Sequence, residues 1–202
     1  MKRLAAVLPL LVPLLFVSVM AAAQDAGRGS ILLVAKPGLA DPRFAQAVVL
    51  VTRAPEGQTL GVILNRPLQV RLAELVSEPE LARNYAGPVF FGGPVLERSL
   101  VALFRSPGEP PAPAFQVGDG VWLSMHPGNV ERLLRGARPG YPGEYRVYAG
   151  FSAWAPGQLE SELERDSWYV LPVSESVLFR TDPAGLWEEL LERARGRRAA
   201  LY

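Results

Sequence analysis

Residues Gly150 to Trp168, GFSAWAPGQLESELERDSW, place four structural instructions in nineteen positions. An aromatic strand end runs into Pro156-Gly157, a turn signal. Gln158-Leu159-Glu160 then starts a helix, and Trp168 opens another strand. A helix this short, with a strand on either side, has to pack on the sheet it has just left. Trp154 and Trp168 bracket it. The plain expectation is that they staple the helix to the sheet, because an indole buries a large area, while Gly157 and Gln158 shape the helix entry. The sharper expectation is a surface groove, with the tryptophans as anchors and Gln158 as a polar reader.

The rest of the chain reads as strands and turns. Ser30 to Lys36 (SILLVAK) is a continuous apolar run, the mark of a buried strand. Ala45–Thr52 and Thr59–Leu64 pair as a hairpin across Pro55-Glu56-Gly57. Further strands are expected at Val89–Phe91, Leu100–Phe104, Gly120–Ser124, Tyr145–Phe151 (aromatics alternating on one face) and Trp168–Pro172. One helical turn fits Val70–Leu75, and Glu78–Pro88 reads as irregular. Helices fit Asn129–Arg135, with Gly136 as its C-terminal cap, and Gly157–Arg165. A final helix is opened by Asp182-Pro183, with Leu186, Trp187, Leu190, Leu191 and Ala194 on one face. Ser106–Ala114 carries four prolines and reads as a mobile loop. Tight hairpins mixed with helical connections predict one α+β domain over residues 30–196, built on a mixed, largely antiparallel sheet with flanking helices. Residues 197–202 read as a frayed tail.

The first residues follow a different logic. Lys2 and Arg3 form a basic start, Leu4–Met20 is apolar apart from Ser18 and is interrupted by Pro9 and Pro13, and Ala21-Ala22-Ala23 makes a small-residue cleavage site. This is the layout of a secretory signal over residues 1–23, followed by a linker over 24–29. It points to an exported, periplasmic protein with no stable membrane span after cleavage. The competing reading is an uncleaved inner-membrane anchor, although a run of about 17 residues is at the lower edge for spanning. Losing Lys2 and Arg3 turns the formal +1 into −1. That balance gives no electrostatic footprint for nucleic acid, so none is expected as a partner. The chain has no cysteine, which excludes disulfide and thiol chemistry.

Few residues offer reactive chemistry. His126 is the single histidine, in SMHPGN, with Ser124 and Ser152 as conceivable nucleophiles. No G-x-S-x-G elbow presents either serine, and the plain reading of His126 is a loop imidazole at a helix start. One histidine and no cysteine leave no metal or cofactor set to expect. Glu160, Glu162 and Glu164 read as a solvated helix side. A hydrolase using His126 or two facing carboxylates is the alternative reading. Gly92-Gly93-Pro94 lacks the residues of a phosphate loop and reads as a turn with positive φ or a close backbone approach. Lys36 ends a strand beside Pro37 and reads as a solvated charge. Asp41-Pro42-Arg43 and Asn65-Arg66-Pro67 suggest polar networks, in which Arg43 and Arg66 can grip a carboxylate of the fold or of a ligand. The candidate site for an unidentified protein or small ligand is therefore Arg43, Asn65, Arg66, Gly92, Gly93, Trp154 and Gln158, in a non-catalytic binding or accessory protein.

Five islands, in order, resemble the YqgE/AlgH family of bacterial proteins: LLVAKPGLADPRFAQAVVLV (32–51), GVILNRP (61–67), FFGGPV (90–95), Gly150–Trp168, and VLFRTDPAGLW (177–187). The resemblance implies a sheet curled into a pseudo-barrel flanked by helices. It implies no established substrate, cofactor or catalytic residue; members have been discussed as transcriptional regulators. Relatives commonly carry histidines where this chain has Arg53 and Arg105, and most lack an export segment. The export reading has a direct check: the periplasmic fraction should yield a chain starting at Gln24, and an intact 202-residue chain confined to the cytoplasm would refute it.

Overall fold

Strand β1 (Ile31–Ala35) is buried on both faces, which is why its sequence is a continuous apolar run rather than an alternation. The computed structural model describes residues 29–54, 57–83, 85–136 and 145–199. The expected leader, residues 24–28 of the linker, Pro55-Glu56 of the first turn and residues 200–202 lie outside the described residues.

Among the described residues eight further strands follow: β2 (Val48–Arg53), β3 (Thr59–Ile63), β4 (Val89–Phe91), β5 (Val95–Arg105), β6 (Phe115–Gly118), β7 (Val121–Ser124), β8 (Tyr145–Trp154) and β9 (Trp168–Pro172). Among them lie helices α1 (Pro127–Gly136), α2 (Gln158–Glu164), α3 (Glu175–Leu178) and α4 (Leu186–Ala199). The nine strands form one sheet in the order β6-β7-β5-β8-β3-β2-β1-β9, with β4 parallel beside β8. All other pairings are antiparallel. The fold is thus the single mixed, largely antiparallel α+β domain that the sequence predicts. The sheet stays open and does not close into a barrel.

Strand period 2 sorts the core. Leu32, Val34, Val48, Leu50 and Val62 face a large cluster covered by α4 through Leu186, Leu190, Leu191 and Ala194. Leu33, Ala35, Val49, Val51 and Ile63 face the opposite way, under Leu159 of α2. A third cluster gathers Phe104, Val147 and Ala149 under α1. Tyr145 belongs to this third cluster and Tyr148 to the first, so the β8 aromatics do not share one face; a spacing of three in a strand puts them on opposite sides.

The sheet forks at β8. Its first part lies between β5 and β4, and its last residues pair with β3. At the fork, Gly92 donates its N–H to Ala149 O (2.9 Å) while its carbonyl accepts from Ile63 N (3.0 Å). The backbones cross at contact: a Cβ on Gly92 would lie 2.1 Å from Gly150 O, and one on Gly150 (φ 70°) 2.4 Å from Gly93 O. Only glycine fits such an approach.

Other elements differ from expectation. β5 starts at Val95, five residues early, because its register slips between Val95↔Phe151 and Leu100↔Ala149 and residues 96–99 bulge out. Three-residue turns of 3-10 type carried too little periodicity to separate from loop, as at Pro42–Phe44. Leu72–Glu74 falls inside the expected helical turn, and Pro79–Ala82 in the stretch read as irregular. The proline-rich loop is tied down, with Pro110 buried. Ser124 Oγ donates to Pro113 O (2.7 Å) and Asn129 Nδ2 to Ala112 O (2.9 Å). Asp182 accepts from Ala184 N (2.9 Å) in a turn, so the last helix begins later, at Leu186, and runs through Gly196 to Ala199. Buried Arg146 reaches from β8 to the end of α3, donating to Leu178 O (3.1 Å) and Arg180 O (2.7 Å) over the Phe90 ring.

Gly150→Ala should cost about 3 kcal/mol or more in urea unfolding, adding collision to backbone strain. Gly157→Ala is the control: its φ is also positive (79°) but nothing lies within 4 Å of the new methyl. Its loss should be near 1 kcal/mol. Equal losses would refute the crossing argument.

Candidate functional site

Helix α2 enters through Gly157 in a left-handed conformation, and its first turns place Gln158 and Glu162 one above the other. Glu162 Oε2 accepts both indole N–H groups, from Trp154 at 3.0 Å and Trp168 at 2.9 Å. Its Oε1 accepts from Gln158 Nε2 (3.1 Å), and Gln158 Oε1 accepts Ala155 N–H (3.1 Å). Phe44, on the turn Pro42–Phe44, completes the cluster: its ring centroid is 6.0 Å from that of Trp154 and 5.7 Å from that of Trp168. Glu162 is therefore not part of a solvated helix side. The available signal was two tryptophans needing acceptors for buried N–H groups, with a Gln/Glu pair at helical spacing between them. Glu160 behaves as expected of a surface acid, pairing with Arg53 at 2.7 Å.

Beside this knot lies a cleft of about 390 Å³ between the Leu39–Phe44 turn, Pro94-Val95 and α2. Arg43, Phe44, Trp154, Gln158, Glu162 and Arg165 are among its lining residues. Trp154 and Trp168 are only 3% and 4% exposed, so they form its floor rather than free-standing anchors. Asp41 caps the turn by accepting Arg43 N–H (2.9 Å), and its carboxylate takes the Arg43 guanidinium in a fork, Nη2 at 2.7 Å. That hydrogen bonding holds the Asp41 carboxyl below the usual carboxylate range.

The remaining site residues lie elsewhere. Asn65 accepts from Val48 N (2.9 Å) and donates to Gln46 O (2.9 Å). Arg66 donates to the carbonyls of Arg43 and Ala45. Both line a second, polar cleft of about 230 Å³, with Gln46, Trp187 and Glu188. Gly92 and Gly93 are buried at the backbone crossing. The seven residues thus divide: Arg43, Trp154 and Gln158 share one cleft, Asn65 and Arg66 another, and the glycines are in neither. Arg66 links the two by holding the turn that carries Arg43.

His126 Nδ1 accepts Gly128 N–H (3.1 Å) at the start of α1, the part of a helix cap. Ser124 Oγ donates to Pro113 O and accepts from His126 N and Asn129 Nδ2. Imidazole and hydroxyl therefore do not form a nucleophile–base pair here. Ser152 Oγ is buried against Gly92 O (3.1 Å). Lys36 is paired with Asp166 over the Tyr169 ring rather than solvated alone. Arg105 pairs with Glu175 (3.2 Å) and lies over Phe179. Among the described residues no three His, Cys, Asp or Glu gather as a metal set, and no helix is long and apolar enough to cross a membrane.

Comparison with known proteins matches residues 32–199 to a family described as AlgH-like. A UPF0301 protein of Streptomyces coelicolor is 37% identical over 169 residues, covering 82% of this chain and 86% of its own. One from Thermobifida fusca is 36% identical over 178 residues, covering 82% and 86%. The solution structure of the AlgH protein from Pseudomonas aeruginosa superposes with a TM-score of 0.62 at 27% identity, over 83% of this chain and 86% of that one. A crystal structure of a Corynebacterium diphtheriae protein gives 0.63 at 23% identity, over 81% and 85%, and shares the fold.

Glu162→Leu should cost about 3–5 kcal/mol, because two indole N–H groups lose their acceptor inside the fold. Glu162→Gln keeps one acceptor oxygen and should cost about 1–3 kcal/mol. Urea unfolding followed by tryptophan fluorescence reads both. A change under about 0.5 kcal/mol, the level of an ordinary surface site, would remove Glu162 from this role.

Proposed function

The chain belongs to the AlgH-like family, and from there we propose that it is an exported, non-catalytic binding or accessory protein that takes its ligand or partner in the cleft beside α2. The observation that carries this is the cleft itself: about 390 Å³, with an aromatic floor from Phe44 and the edges of Trp154 and Trp168, and polar groups at the rim. Pockets of this size, apolar below and polar at the mouth, are the usual form of a small-ligand or side-chain site. The rim is preset, since Arg43 is fixed by Asp41 and Gln158 by Glu162, so little ordering remains to oppose binding. Export rests on the layout of the first 23 residues.

A fragment titration followed by NMR tests the cleft. The expected result is a set of shifts concentrated on the indole N–H groups of Trp154 and Trp168 and the side-chain amide of Gln158, weakened by Arg43→Ala. Shifts scattered over the surface, or confined to the Arg66 cleft, would displace the site.

A further inference from the structure

Among the described residues, Leu96 is the most exposed large hydrophobe, at 65%. It is also one of three non-glycine residues with positive φ (47°) among those described, a conformation that a leucine adopts only under constraint. The constraint is visible: Leu96 is the first residue of the bulge opposite Gly150, where β5 slips register against β8. The residues before it, Pro94 and Val95, line the α2 cleft. The residue after it, Glu97, is near enough to Arg43 for its charge to act on the guanidinium. An apolar knob and a partly apolar hollow therefore stand side by side on one surface.

That arrangement is self-complementary. A two-fold axis between two copies can lay each knob over the other's hollow, the defining property of an isologous interface. Charge supports the same occupant. If Leu96 enters a facing cleft, its neighbour Glu97 arrives at a rim that carries Arg43 and Arg165. Arg165 donates to Ser161 Oγ (2.7 Å) and has no carboxylate partner among the described residues.

We propose that the bulge at Leu96–Ser99 and the α2 cleft form a two-fold docking surface for a second copy of this chain, each Leu96 side chain entering the cleft of its partner. The proposal rests on the reading of that cleft as a binding site and names its occupant. Sedimentation of the mature chain from low to high micromolar concentration should show a reversible monomer–dimer equilibrium. Leu96→Asp should weaken it by about tenfold or more, as for a buried apolar anchor, while the melt of the dilute monomer should not fall, because the residue is at the surface and Asp tolerates positive φ better than Leu. Glu97→Arg and Arg165→Glu should each weaken it, and the double variant should recover most of the loss. A monomer at every concentration, or a dimer indifferent to Leu96→Asp, overturns the proposal. Fragment shifts at the indoles that persist in Leu96→Asp would show that the cleft reading survives without the dimer; their absence would remove the cleft reading itself.

Discussion

One carboxylate organises the most informative part of this molecule. Glu162 accepts the N–H of Trp154 from the end of β8 and that of Trp168 from the start of β9, while its other oxygen takes Gln158. Two indoles buried without an acceptor would each carry a desolvation cost of about 1–3 kcal/mol. Supplying both from one side chain of α2 fixes the helix, the strand before it and the strand after it in a single geometry. Phe44 then packs on both rings, so the turn that carries Arg43 is placed by the same contact.

The second constraint is steric. At the fork of the sheet, Gly92-Gly93 and Gly150 pass with their backbones touching. The close approach lets β4 and β3 share one side of β8, and it throws β5 out of register opposite Gly150. Pro94 and Val95, just before the bulge, line the α2 cleft, and Leu96 follows them as the first bulged residue. The glycines are thus linked to the candidate site through geometry alone, without lining it.

Much of the fold was legible along the chain because two-sided burial leaves a plain record: a strand covered on both faces, such as β1, can only be apolar throughout. The strand–turn–helix–strand order of the Gly150–Trp168 segment was legible for a similar reason, since Pro156-Gly157 and the following helix start are local signals. Elements without local signals were missed. The short strand β6 is defined by its partner β7, and the later start of α4 by where Asp182 finds a backbone N–H.

The candidate site was legible only in part, and the division has a physical cause. Residue type and turn chemistry singled out Arg43, Asn65, Arg66, Trp154 and Gln158 as polar or aromatic groups needing partners. Which of them meet depends on contacts between residues far apart in sequence, such as Arg66 with the carbonyls of Arg43 and Ala45. Hydrophobic period and glycine punctuation act over a few residues, so the sequence by itself determined the strands, the buried faces and the helix between the tryptophans. Acceptor sharing at Glu162, the separation of Arg43 from Asn65 and Arg66 into two clefts, and the outward turn of Leu96 arise only when distant segments pack, and so the tertiary structure alone decided them.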